Sequence, residues 1–93
     1  MTSGYVSDKA RYSARLRRIE GQVRGLERMV EQEAYCIDIL TQLAALQSAL
    51  KGVGLALLED HMNHCVVHAA RAGDEQARQK VEEVTAAVGR LLR

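Results

Sequence analysis

Leu16, Ile19, Val23, Leu26 and Val30 step along the chain by three, four, three and four. That spacing puts the aliphatic side chains on one stripe of a helix; in a strand, side chains alternate instead. It predicts a helix from about Ser7 to about Gln32. A second run, from about Tyr35 to Arg71, repeats the pattern with Ile39, Leu43, Leu46, Leu50, Val53, Leu57 and Met62. A short third run carries Val81, Val84, Val88 and Leu91. The chain has no Pro, Phe or Trp, and Tyr5, Tyr12 and Tyr35 are its only aromatic residues. A sheet protein would want β-branched runs, aromatics and turn punctuation. The expectation is an all-α, three-helix protomer, with residues 1–93 forming a single domain.

The boundaries differ in clarity. No strong breaker stands near Glu33-Ala34. Gly52 and Gly54 lie inside the second run, where each costs about 1 kcal/mol relative to Ala. They mark either a break or a close approach of another helix. Gly73-Asp74 is plainer: Gly73 suits the left-handed end of one helix, Asp74 the N-cap of the next, and Glu75 its first turn.

Two long helices and a short one do not close a round core. The second would extend roughly 54 Å, and a lone chain would leave much of its stripe wet. An obligate oligomer with four or more helices sharing a core is expected.

The net charge of +1 hides an asymmetry. Lys9, Arg11, Arg15, Arg17, Arg18, Arg24 and Arg28 stand against Asp8, Glu20 and Glu27 in residues 1–30, whereas residues 31–60 set Lys51 against Glu31, Glu33, Asp38, Glu59 and Asp60. Arg11, Arg15 and Arg18 share a face beside the apolar stripe. The first helix is therefore either a basic surface for an anionic partner or a solvated face with its charges paired. No segment reads as a membrane span, and the N-terminus does not read as a signal peptide, so a cytoplasmic protein without membrane contact is expected. In that compartment two cysteines suggest a metal, redox or core role before a disulfide.

His61 and Cys65 are four apart, one turn of the same helix. Cys36 is 25 residues from His61, roughly 37 Å along a continuous helix, and folding back at Gly52-Gly54 would not bring the two level. Two antiparallel copies would do so. With a two-fold axis near Ser48-Ala49-Leu50, Cys36 of one chain lies beside His61 and Cys65 of the other. Two thiolates and one imidazole form a soft, three-donor set that suits Cu(I), whereas Zn²⁺ would want a fourth ligand. His68, on a similar face, could supply it; His64 points elsewhere. Nothing suggests an enzyme: there is no Ser/His/Asp set, phosphate loop or paired-carboxylate cleft.

Three stretches carry a resemblance. Residues 15–25 (RLRRIEGQVRG), 35–42 (YCIDILTQ) and 57–65 (LLEDHMNHC) resemble, in order, motifs of the copper-sensitive operon repressor family. The likeness runs from about Lys9 to Leu92. It implies an antiparallel dimer forming a four-helix bundle, assembled as a dimer of dimers, a homotetramer that binds operator DNA when metal-free. It implies Cu(I) held by Cys36 and, across the interface, His61 and Cys65, with loss of operator affinity and derepression of copper-resistance genes. The absence of any His before His61, the absence of Pro, and Cys at 65 favour the copper branch over the nickel/cobalt and formaldehyde branches.

The resemblance also implies that Tyr35 and a third-helix glutamate, Glu83 or in the alternative register Glu82, hydrogen-bond toward the metal-bound imidazole. Such a partner fixes the ring's tautomer and orientation. DNA contacts would come from Arg15, with Arg11 and Arg18. Where some relatives carry an Arg in the second helix this chain has Gly52, beside Lys51. The rival functions are a thiol-redox or persulfide-sensing repressor of the same fold, and a copper buffer without a DNA role.

Overall fold

The computed structural model describes residues 4–92; the side chains of Cys65 and Val66 lie outside that description. After a 3-10 turn at Val6–Asp8 come α1 (Lys9–Glu31), α2 (Cys36–His61), a π-helical turn (Met62–Val66), α3 (Val67–Ala72) and α4 (Asp74–Leu92). The protomer is all-α. Its three helical runs are those expected, the second comprising α2, the π turn and α3.

Residues 9–53 form one compact unit, and residues 54–93 with 1–8 form the other. In the first, α1 lies antiparallel to the leading part of α2. Arg15, Arg18 and Ile19 share a groove with Ala49 and Val53, while Leu26 and Met29 share one with Gln42 and Ala45. The α1 stripe divides here into two rows. Tyr12 and Ile19 are buried, whereas Leu16, Val23 and Val30, seven apart, remain 47%, 49% and 61% exposed. On α2, Leu46 and Val53 are buried while Leu43 and Leu50 stay exposed. The stripe of each helix is thus wider than one neighbour can cover.

The turn between α1 and α2 is better defined than its sequence suggests. The Glu33 N–H donates to the Val30 carbonyl and the Ala34 N–H to the Met29 carbonyl, at 3.1 and 2.9 Å. This is a Schellman closure, normally given to glycine at the position Glu33 occupies with φ 56°. The Tyr35 carbonyl then accepts from the Asp38 and Ile39 N–H groups, which makes Tyr35 the N-cap and Cys36 the first residue of α2. A left-handed residue with a Cβ costs about 1 kcal/mol or more. Glu33→Gly should therefore raise stability by about 1 kcal/mol, seen as a melting temperature several degrees higher. A lower melting temperature would mean that the glutamate side chain contributes more than its backbone strain removes.

In the second unit the end of α2 runs antiparallel to α4. Helix α2 does not break at its glycines: a Cβ at Gly54 would lie 2.9 Å from Leu91 Cδ2, so of the two readings close approach is correct there. Ala69 of α3 is 2% exposed, the most buried of the core residues. Gly73 has φ 146°, closed to residues with a side chain. It joins α3 to α4 with no residue to spare: its N–H donates to the Ala69 carbonyl, and its own carbonyl accepts from Ala77. Gly73 therefore takes the N-cap position expected of Asp74, and Asp74 is the first helical residue, where its charge still complements the dipole.

One sequence expectation is overturned. The helical run Cys36–Ala72 is long and apolar enough, by length and composition, to cross a membrane. The cause is its middle, where Lys51 is the only charge between Asp38 and Glu59. The core helix of an assembly passes the same test.

Candidate metal centre and nucleic-acid face

Cys36 and His61 are the first and last residues of α2. Cys36 is exposed, a free thiol. His61 is half-buried and lines a pocket of about 290 Å³ together with Leu58 of α2 and Glu83, Val84 and Val88 of α4. Cys65 sits in the π turn, and its side chain lies outside the described residues. Among the described residues no three His, Cys, Asp or Glu side chains gather as a metal site.

The π turn alters the geometry assumed for His61 and Cys65. Its hydrogen bonds join residues five apart, as the Val67 N–H does to the Met62 carbonyl. A turn then takes up more than four residues, against 3.6 in an α-helix. Cys65 therefore follows His61 by slightly less than a full turn instead of slightly more. His64 and His68 are both exposed. The N-terminal turn also reaches this end of α2: Gly4 packs against the Asp60 carbonyl, and a Cβ there would lie 3.0 Å from that of His64.

Of the two glutamates, Glu83 is the one that shares the His61 pocket. Its carboxylate lies 3.5 Å from Lys80 Nζ, a loose pair on the surface of α4. Glu82 is engaged elsewhere, 2.7 Å from Arg78, which also holds Glu75 at 2.8 Å. Tyr35 is 69% exposed at the head of α2.

Of the seven basic residues of α1 only Arg24 has an ion pair among the described residues, with Glu20 at 3.6 Å. Arg11, Arg15 and Arg18 form none, so the face is not a set of mutually satisfied charges. Arg15 and Arg18 flank a groove with Gln22, and Lys51 is exposed nearby on α2. Gln22 was not among the residues the sequence pointed to, because a glutamine in a basic helix carries no signal until the partner helix defines the groove.

The model of the metal-sensitive transcriptional repressor family matches residues 8–90. The chain belongs to that family. A copper-sensing transcriptional repressor of Mycobacterium tuberculosis, RicR, is 51% identical over 90 residues, covering 97% of this chain and 94% of that one. The copper-sensing repressor CsoR of Geobacillus thermodenitrificans, solved with Cu(I), superposes with a TM-score of 0.85 at 43% identity, over 95% of this chain and 90% of that one. The nickel-responsive regulator InrS superposes with a TM-score of 0.75 at 36% identity, over 88% and 90%. The fold is thus shared by a repressor solved with Cu(I) and a regulator named for nickel.

Proposed function

We propose that this member of the metal-sensitive repressor family is a copper(I)-responsive transcriptional repressor, active on operator DNA without metal and released from it by Cu(I). The observation that carries the reading is the position of Cys36 and His61 at opposite ends of one uninterrupted α2. A helix of that length keeps the donors of one chain apart, so a shared ion needs two chains. The donors that would hold Cu(I) are Cys36 of one protomer with His61 and Cys65 of its antiparallel partner. Thiolate and imidazole in a set of three match its softness and low coordination number. Bound there, the ion would link two protomers end to end.

The chain's own residues supply the response. The exposed rows Leu16-Val23-Val30 and Leu43-Leu50 supply apolar surface for a four-helix bundle and a dimer of dimers. Glu83 can satisfy the imidazole nitrogen left over by ligation once it leaves Lys80, and Tyr35 stands beside Cys36. Movement of Glu83 would carry α4 with it. Copper and DNA then act by linkage, each favouring a different quaternary arrangement. Arg15, Arg11 and Arg18, with Lys51, meet phosphates, and the protein works in the cytoplasm as a single domain.

The test is a gel shift on DNA upstream of the chain's own gene, run anaerobically. A metal-free shift should be lost on adding one Cu(I) per protomer and weaken steeply with salt. A shift that copper leaves unchanged, but polysulfide abolishes, would transfer the function to thiol sensing.

A further inference from the structure

Gly52 has a role that its helix does not need. It lies in the interior of α2, where glycine is a poor helix former. A Cβ built on it would lie 3.2 Å from Arg15 Nη2, tight enough that the guanidinium would have to give by a few tenths of an ångström. The arginine of α1 is therefore laid against the bare backbone of α2. Beside it is a groove of about 230 Å³ walled by Arg15, Arg18 and Gln22 on one helix and by Ala49 and Val53 on the other. Arg15, Arg18 and Gln22 follow one another by three and four residues, on one face of α1. No carboxylate lines the groove. Neither arginine has an ion pair among the described residues.

We infer that Gly52 is a positioning residue that seats the Arg15 guanidinium beside Arg18 and Gln22, forming a seat for one backbone phosphate of the operator. Two guanidinium forks and an amide offer only hydrogen-bond donors and the amide oxygen, on a floor of small and apolar residues. That combination fits an oxyanion, and the repressor reading supplies the phosphate of DNA as that oxyanion. A fixed guanidinium also loses less freedom on binding than one swinging in water. The inference rests on the repressor reading. The two can fail separately, since the wild-type shift tests the repressor and the variants below test the seat.

The experiment compares Gly52→Ala, Arg15→Ala and the double variant in salt-dependent operator titrations and thermal melts, on the full-length protein. Gly52→Ala should melt several degrees higher, because alanine favours the helix. It should nonetheless bind operator about 5- to 10-fold more weakly, and its log–log salt slope should fall by about one contact. In the Arg15→Ala background the same change should cost almost nothing. Unchanged or tighter binding by Gly52→Ala overturns the inference, as does an equal loss in both backgrounds. Free phosphate offers the same oxyanion as DNA. Equal operator affinity in chloride and phosphate buffers of matched ionic strength supports a duplex phosphate as the occupant. Competition by inorganic phosphate that Arg15→Ala abolishes shows operator and free phosphate sharing the seat and supports it, whereas equal competition in both proteins overturns it.

Discussion

A mixture of Cys36→Ser and Cys65→Ser protomers should bind copper(I) tightly at roughly a quarter of its sites, although neither variant alone does so. If each site takes Cys36 from one chain and His61 and Cys65 from the other, a mixed dimer holds one intact site and one empty of both donors. Random exchange of an isologous dimer makes about half the dimers mixed, which gives the quarter. Each single variant should lose at least about 100-fold in affinity, because even residues that merely support a ligand are worth 10- to 100-fold. The measurement is an anaerobic competition titration against a Cu(I) chelator, on subunits mixed under exchange conditions. No recovery in the mixture, with exchange confirmed by mass spectrometry, would rule out the two-chain site. Tight binding by Cys36→Ser alone would remove Cys36 from the ligand set.

Leu50→Glu should abolish assembly, and copper binding and operator binding should fail with it. Leu50 is 47% exposed in the protomer and stands near the middle of α2. A two-fold axis relating Cys36 to His61 has to pass close to it. An unpaired carboxylate buried in that contact costs several kcal/mol, enough to weaken association by about 100-fold or more. Sedimentation velocity should show a smaller species, and far-UV circular dichroism should show lost helix, since a protomer with so few buried residues has little core of its own. A Leu50→Glu protein that keeps its size and still represses would take this row out of the interface.

The three helical runs were legible because their aliphatic residues recur at three and four, and Gly73 because a side chain is excluded there. Other features required the fold. A Schellman closure on Glu33 leaves no local mark, since the left-handed residue there is not a glycine. The α1 stripe reads as one surface until the fold buries Ile19, with Tyr12 beside it, and leaves Leu16, Val23 and Val30 exposed. Gly52 read as a break or a close approach of another helix, and the structure shows which residue approaches it, Arg15. The proposed donor residues read as chemistry: soft ligands at a spacing too long for one chain. The π turn between two of them was not legible, because no residue in Met62–Val66 forces it.

That last point bears on how the chain could change through insertion or deletion. A π turn carries one residue more than an α-helix would use over the same length, and the wider turn absorbs it. Removing a single residue from this turn would restore an ordinary helix and leave everything downstream close to its present phase relative to α2. Ala69, now almost wholly enclosed, would stay buried. What would change is the stretch between His61 and Cys65, whose spacing the surplus residue sets. A regulator built this way should keep its fold through a one-residue deletion in Met62–His64 and lose the register of its donors.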